Sequence, residues 1–165
     1  MKHTKNILKS LLITVMALSL LAVSCKKDEG GSKPTSPQTT KVNAETITGI
    51  VSAMFSMTVD DNGASLFASD TITPASGKAT IDTAAGKKIA DIKTKLKTSI
   101  ETVASAYASV VTLTSNVDNL TKDLTLTMKP ANANVNFTSD VTDGKTYSYD
   151  ATKGEASLVI TITEK

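Results

Sequence analysis

The hydrophobic residues of the chain fall into zones with different spacing, and each zone predicts a different kind of structure. Residues 11–23 carry no charge, whereas residues 26–41 contain no large apolar side chain. Further along, apolar residues recur every three or four positions, and in the last third they recur at every second position. A period near 3.6 predicts an amphipathic helix, and a period of two predicts a strand with one buried face.

The clearest element runs from residue 82 to about residue 111. Its apolar stripe consists of Ile89, Ile92, Leu96, Ile100, Val103, Tyr107 and Val110. These intervals of three and four predict a long helix with one narrow buried face, and Asp82 is the expected N-cap. We expect the stripe to pack on a sheet. A self-associating coiled coil is the alternative, although the stripe covers only about three heptads.

The segment Ala44–Met57 is ambiguous. Its apolar side chains fit one face of a helix, but they fit the alternation of a strand almost as well, and helix is the preferred interpretation. Residues 60–63, Asp-Asp-Asn-Gly, predict a turn. Residues 71–77, which contain Pro74 and Gly77, predict a loop.

The C-terminal third predicts strands joined by turns at Asp143-Gly144 and Lys153-Gly154. The residues expected on one face of each strand are Leu124, Leu126 and Met128, then Val135 and Phe137, then Tyr147 and Tyr149, and last Leu158, Ile160 and Ile162. We expect an antiparallel meander of three or four strands with Thr and Ser toward water. The predicted fold class is α+β: one long amphipathic helix packed on a small antiparallel C-terminal sheet, with a shorter N-terminal helix if Ala44–Met57 is helical.

The N-terminal pattern predicts export. Residues 1–10 carry Lys2, Lys5 and Lys9 and no acid, and residues 11–23 are too short for a permanent membrane span of about 20 apolar residues. A basic segment, a short apolar segment and small residues after it are typical of a signal peptide. The predicted organisation is a signal peptide at 1–24, a disordered tether rich in polar residues at 25–41, and one globular domain at 42–165.

The residues Leu21-Ala22-Val23-Ser24-Cys25 resemble a bacterial lipobox, the cleavage signal of lipoprotein precursors. The resemblance implies that the sulfur of Cys25 carries diacylglycerol, that signal peptidase II cuts between Ser24 and Cys25, and that the new amine is acylated. The commonest lipobox has Leu three places before the cysteine, where this chain has Ala22; looser boxes occur in spirochaetes. We expect no cofactor apart from this covalent lipid. Ordinary secretion with a free thiol is the alternative.

The residues after Cys25 predict an address in the envelope. Lys26 occupies the position where Asp signals inner-membrane retention in enterobacteria, and Lys27-Asp28-Glu29 resembles the tag that sends some Bacteroidetes lipoproteins to the cell surface. A solvated spacer is the alternative interpretation of the same run. We expect a lipid-anchored outer-membrane protein, handled by the lipoprotein processing and sorting machinery and displayed on the cell surface. The periplasmic leaflet of the outer membrane is the alternative location.

Charge and rare residues exclude several classes of function. Without Lys2, Lys5 and Lys9, the 18 Lys fall to 15 against 16 acidic residues, a net charge of −1, and there is no Arg. The chain after the signal therefore has no excess of positive charge that would attract a nucleic acid. The single His is His3, inside the signal, and Cys25 is the single Cys. These counts exclude internal disulfides, His-dependent nucleophilic sites and zinc sites built on His and Cys.

Two charged groups are weak candidates for binding. Lys87, Lys88, Lys93, Lys95 and Lys97 make the start of the predicted long helix basic, either as a patch for an anionic surface or as a solvated face relieved by Asp91 and Glu101. Asp140, Asp143 and Asp150 flank turns and are possible calcium ligands, but their spacing does not match an EF-hand and turn chemistry is the preferred explanation. No metal site is expected, and Tyr147 and Tyr149 are expected in the core rather than on a ligand platform.

The sequence favours a non-enzymatic lipoprotein whose small domain serves as a surface antigen or interaction module. Signal, tether and size are similar to those of small outer-membrane lipoproteins and surface antigens of spirochaetes and Bacteroidetes. One alternative is a periplasm-facing module that binds a small or lipidic ligand between helix and sheet, which requires a cavity beneath the apolar stripe. A third possibility, a hydrolase, requires a cleft where polar groups converge on Ser or Asp. An unidentified surface or envelope protein is the expected partner besides the membrane; the sequence does not specify it, the oligomeric state or the biological process.

Overall fold

The computed structural model describes residues 39–68 and 72–165, which contain three helices and seven strands. In chain order the elements are β1 (Thr40–Val42), α1 (Ala44–Met57), β2 (Lys78–Asp82), α2 (Ile89–Ala106), β3 (Val111–Ser115), a short 3-10 helix (Val117–Asn119), β4 (Asp123–Pro130), β5 (Val135–Phe137), α3 (Ser139–Thr142), β6 (Ser148–Asp150) and β7 (Glu155–Thr163).

Five strands form one mixed sheet in the order β2-β7-β4-β3, with β6 beside β2 on the same side of β7. The pairs β3–β4, β4–β7 and β6–β7 are antiparallel, whereas β2 and β7 are parallel and place Lys78 opposite Val159. The predicted alternation of β4 and β7 is confirmed, because all six apolar residues of their inner face are at most 1% exposed: Leu124, Leu126, Met128, Leu158, Ile160 and Ile162.

The predicted fold class is wrong in its sheet and in its helix count. The domain combines helices and strands, but the sheet is neither antiparallel nor confined to the C-terminal third, because β2 enters it in parallel from the N-terminal half. The short segment Lys78–Asp82 buries only Ala79 and Ile81, so its two apolar positions gave too weak a period to predict a strand.

The meander is also interrupted. Instead of joining β4, strand β5 pairs in parallel with β1, so that Val42 lies opposite Phe137 in a separate two-stranded sheet. Parallel pairing needs a long connection, and here most of the domain lies between the two strands. Strand β1 begins at Thr40, so Thr40 and Lys41 of the predicted tether region lie in this sheet.

Helix α1 confirms the helical interpretation of Ala44–Met57. Its buried residues are Ile47, Ile50, Val51, Met54 and Phe55, the set that fits one helical face. The helix begins after Asn43, whose side-chain Oδ1 accepts a hydrogen bond from the Thr46 backbone N–H at 2.8 Å. The domain therefore contains a second full helix besides the one that the apolar stripe predicts.

Helix α2 confirms the apolar stripe but not its predicted bounds. It spans Ile89–Ala106, and the expected N-cap Asp82 belongs to β2 instead. At the other end the chain turns after Tyr107, and Val111 already starts β3. Tyr107 and Val110 stay buried beyond the helix, which is why the periodicity overestimated its length.

Gly77 fixes the junction where β2 meets the β6–β7 hairpin. Its backbone has φ +71°, its N–H donates to the Thr146 carbonyl at 2.9 Å, and its carbonyl accepts from the Val159 N–H at 3.1 Å. A Cβ at this position would lie 2.9 Å from Ser148 Oγ and 3.0 Å from the Ser148 nitrogen. Only glycine combines this left-handed conformation with so close an approach.

Candidate functional site

The residues predicted to carry the lipid lie outside the part of the chain that the structure describes. This holds for Ser24 and Cys25, for the predicted signal peptide at 1–24 and for the tether up to residue 38. Their assignment therefore stays a prediction. The candidate sites that the structure does place are all in the domain between residues 39 and 165.

The lysine-rich face of α2 is neutralised by acids from its own turns and from other elements. Lys97 Nζ lies 2.7 Å from Asp118 Oδ1 and 4.0 Å from Glu101, and Lys95 Nζ lies 2.6 Å from Asp61 Oδ1. The hydrogen bond between Lys97 and Asp118 raises the pKa of the lysine and lowers that of the aspartate. These pairs favour the solvated-face interpretation, since interspersed acids weaken any field that would attract an anion.

Among the lysines at the start of α2, Lys88 is also paired with an acid, whereas Lys93 contacts a backbone carbonyl. Lys88 Nζ lies 3.2 Å from Glu164 Oε2, and Lys93 Nζ donates to the Asp118 carbonyl. A different oxygen of Glu164, Oε1, accepts the Ile89 backbone N–H at 2.9 Å. This bond, together with Lys88, lowers the pKa of Glu164.

The three aspartates considered as calcium ligands each accept a hydrogen bond from a backbone N–H group of a different segment. Asp143 Oδ1 accepts the Lys145 N–H at 2.9 Å, and Asp150 Oδ1 accepts the Thr152 N–H at 3.0 Å. Asp140 Oδ2 accepts the Ala44 N–H at 3.0 Å. These contacts favour the turn interpretation.

Tyr147 confirms the core prediction, but Tyr149 does not. Tyr147 is fully buried, and its hydroxyl donates to the Ala44 carbonyl at 3.0 Å and lies 2.8 Å from Thr48 Oγ1. Burial raises the pKa of Tyr147, although the Thr48 contact opposes the shift. Tyr149 is only partly buried, and its ring meets Phe137 edge to face with 6.4 Å between the centroids.

Phe137 and Tyr149 lie in a surface groove of about 490 Å³, which we call the aromatic groove. It lies where the β1–β5 sheet and α3 approach the end of β4 and the β6–β7 hairpin. Its lining includes Lys129, Asn136, Phe137, Thr142, Tyr149 and Lys153. The four other aromatic side chains, Phe55, Phe67, Tyr107 and Tyr147, are buried, so this groove is where the domain presents aromatic surface.

The polar groups of the aromatic groove divide into free neutral groups and paired charges. The Asn136 amide, the Thr142 hydroxyl and the Tyr149 hydroxyl make no hydrogen bond to another described residue. Lys129 Nζ lies 2.7 Å from Glu155 Oε1, and Lys153 Nζ lies 3.5 Å from Asp150 Oδ2. The groove therefore offers neutral donors and acceptors beside two aromatic rings, with its cations already compensated.

The sequence did not predict this groove, because Phe137 and Tyr149 fit the buried faces of two short strands. Phe137 and Tyr149 were assigned to neighbouring strands of one meander, which would have placed both in the core. The departure of β5 to pair with β1 brings them to a groove instead. The polar residue beside each ring, Asn136 and Ser148, predicts strands with one exposed face, but it does not distinguish a groove from the core.

Comparison of the chain with protein-family models, with curated protein sequences and with solved structures gave no match. Within residues 39–68 and 72–165, no helix is long and apolar enough to cross a membrane. The same residues contain no cluster of three or more His, Cys, Asp or Glu side chains arranged to hold a metal ion.

Proposed function

We propose that this protein is a lipoprotein held in the outer membrane by acylated Cys25, which displays a small non-catalytic domain as a surface antigen or interaction module. One observation carries the proposal: the basic, apolar and small-residue segments of the N-terminus end at the single cysteine of the chain. Two or three acyl chains bury enough methylene groups to hold a protein permanently, at about 0.8 kcal/mol for each methylene.

The packing of the domain supports display over an internal ligand cavity. A ligand site beneath the apolar stripe of α2 would leave part of the stripe uncovered by protein atoms. Ile92, Leu96 and Val103 are each 0% exposed, so this part of the stripe is filled by side chains. This observation weighs against the alternative of a module that binds a lipidic ligand between helix and sheet.

The neutralised face of α2 also supports a partner that is not a polyanion. Lys88, Lys95 and Lys97 each lie within 4.0 Å of a carboxylate of this chain. An anionic surface would have to compete with these pairs at three of the five lysines of the basic segment. The aromatic groove presents uncommitted neutral polar groups beside partly exposed aromatic rings.

The anchor is tested by expressing the native chain and the Cys25→Ser variant in a lipoprotein-processing bacterium. We expect mass spectrometry of the native chain to show a new N-terminus at residue 25 that carries diacylglycerol and an amide-linked acyl chain. The variant should leave the membrane fraction, because serine offers no thiolate for the lipid. An unmodified Cys25, or a variant that stays with the bilayer, would refute the anchor.

Surface display is tested separately by adding protease to intact cells. We expect the domain to be cleaved in intact cells as readily as a known surface protein, and a periplasmic marker to survive. If the domain survives until the outer membrane is opened, the protein faces the periplasm and the surface part of the proposal is wrong.

A further inference from the structure

The aromatic groove combines three properties that together identify a class of ligand. The first is a pair of aromatic rings in a concave surface, Phe137 from β5 and Tyr149 from β6, set at 77° to each other. Rings held edge to face present apolar surface in two directions, and each carries a negative face that attracts polarised C–H groups. The C–H faces of sugar rings match such a surface.

The second property is the supply of neutral hydrogen-bonding groups. The Asn136 amide offers two donors and an acceptor, and the hydroxyls of Thr142 and Tyr149 each offer both functions. None of the three is engaged by another described residue. Ligand sites typically place a few convergent polar groups beside apolar surface, and these groups match the hydroxyls of a polyol.

The third property is that each lysine of the groove is paired with a carboxylate, so that each pair has no net charge. Lys129 is paired with Glu155 at 2.7 Å and Lys153 with Asp150 at 3.5 Å. The backbone N–H groups of Lys153 and Thr152 also lower the pKa of Asp150, which keeps this carboxylate charged. An anionic ligand would meet the negative charge of both carboxylates beside the lysines, whereas an uncharged ligand does not.

We propose that the aromatic groove is a binding site for neutral saccharide, in which a sugar ring packs on Phe137 and Tyr149 and its hydroxyls bond to Asn136, Thr142 and the Tyr149 phenol. This inference deepens the display function proposed above by naming the chemistry of the partner. Its test uses purified protein, so failure of the lipid anchor and failure of saccharide binding are measured independently.

The chain provides its own reporter for this groove. It contains no Trp and three Tyr, of which Tyr107 and Tyr147 are at most 5% exposed. Tyrosine fluorescence that changes on ligand addition therefore reports chiefly on Tyr149. The full lipidated protein is used in a polyoxyethylene detergent, because detergents with sugar headgroups would compete for the site.

The probes are neutral hexasaccharides of glucose, mannose and N-acetylglucosamine, with polygalacturonate as the anionic comparison. We expect at least one neutral probe to change the tyrosine fluorescence in a saturable manner and to bind in calorimetry. Binding should not change between about 0.05 and 0.5 M salt, although the Debye length shortens severalfold over this range, because no charge is neutralised on binding. Polygalacturonate should not bind.

Variants locate the binding site. Tyr149→Ala should weaken binding about tenfold or more, since it removes a ring, and Asn136→Ala about three- to tenfold, since it removes neutral hydrogen bonds. Tyr149→Phe keeps the ring and removes only the phenol, so it should lose less than Tyr149→Ala. Asn119→Ala is the matched control, because Asn119 is an exposed asparagine outside the groove lining.

Three results would overturn the proposal. The first is that none of the neutral probes binds, and the second is that Asn136→Ala and Tyr149→Phe bind as well as the native protein. The third is that polygalacturonate binds in a salt-sensitive manner while the neutral probes do not. Circular dichroism checks that each variant is folded. If Tyr149→Ala unfolds, Asn136→Ala and Tyr149→Phe decide the question, since neither substitution removes a buried ring.

Discussion

The two long helices begin in the same way and differ in almost everything else. Each starts beneath a carboxylate from the last third of the chain: Asp140 Oδ2 accepts the Ala44 N–H of α1 at 3.0 Å, and Glu164 Oε1 accepts the Ile89 N–H of α2 at 2.9 Å. A negative group is favourable here because the first N–H groups of a helix have no partner within it.

The helices differ in local capping and in burial. α1 has its own cap in Asn43, whereas Lys88 occupies the same position of α2 without a side-chain hydrogen bond to the helix. In α1 the exposed residues are only Glu45, Gly49 and Ser56, while α2 buries one face and leaves its polar face open. α1 is thus stabilised by burial and a local cap, whereas the start of α2 depends on a residue from the end of the chain.

The largest effect on the free energy of unfolding should come from α1, the more fully buried of the two helices. Phe55 of α1 is 0% exposed, and its ring meets Phe67 edge to face at a centroid distance of 4.8 Å. Phe55→Ala should lower the free energy of unfolding by about 3–5 kcal/mol, because it removes a buried ring and leaves a cavity. Denaturant unfolding followed by circular dichroism measures the change.

The adjacent Ser56 provides the control for Phe55. Ser56 is exposed, and its hydroxyl bonds only to the Ala53 carbonyl of the preceding turn at 3.1 Å. Ser56→Ala should stay within about 0.5 kcal/mol of the native protein. A Phe55→Ala loss below about 1 kcal/mol would mean that α1 is not packed as closely as its burial indicates.

The next effect concerns acid stability, because both remote carboxylates have lowered pKa values. Partial burial alone would raise the pKa of Asp140, but hydrogen bonds from Thr138 and the Ala44 N–H outweigh burial and lower it. For Glu164 the Ile89 N–H and Lys88 lower the pKa. A lowered folded pKa stabilises the fold above the ordinary carboxyl value of about 4, and this stabilisation is lost as pH falls through the folded pKa.

The variant Asp140→Asn/Glu164→Gln should therefore lose less stability than the native chain between pH 6 and pH 3. The remaining slope is expected from Asp118 and Asp150, whose pKa values are also lowered. Thermal unfolding across this pH range measures both slopes. Identical slopes for the two proteins would show that these carboxylates do not couple to folding.

The single variants separate the two helices. Glu164→Gln should speed amide exchange in the first turn of α2, because α2 has no local cap to compensate for the lost charge. Asp140→Asn should change the first turn of α1 less, because Asn43 still accepts the Thr46 N–H. Equal effects on the two turns would contradict the difference in local capping.

The same contrast explains how much of the fold the sequence could predict. The stripe of α2 and the alternation in β4 and β7 depend on neighbouring residues, so a single chain segment displays them. Asp140 lies 96 residues from Ala44, and Glu164 lies 75 residues from Ile89, whose N–H groups they accept. No local sequence pattern connects residues so far apart. Asp82 was the best local cap available, and it lies in β2 instead.

The candidate site follows the same rule. Neither Phe137 nor Tyr149 carries a signal that distinguishes a core ring from a groove ring, because each is one apolar position in a short alternating run. The parallel pairing of β1 with β5 decides where Phe137 lies, and register between distant strands is set by tertiary packing. Composition and charge, in contrast, already excluded His-based and Cys-based chemistry in the domain.

The smallest effect should come from the open face of α2, and it tests whether the polar side of this helix stabilises the fold. Lys95 and Asp61 lie 2.6 Å apart, but their side chains are 48% and 91% exposed. Lys95→Gln keeps a similar helix propensity and a polar side chain while it removes the charge. The free energy of unfolding should change by no more than about 0.5 kcal/mol, because solvent screening and side-chain entropy offset most of the attraction.

A matched measurement at high salt separates screening from contact. At about 1 M salt the Debye length falls to about 3 Å, so the difference between the native protein and Lys95→Gln in denaturant unfolding should shrink. A loss above about 1 kcal/mol at low salt would contradict the expectation. The polar face of α2 would then stabilise the fold measurably, in addition to the buried stripe of the same helix.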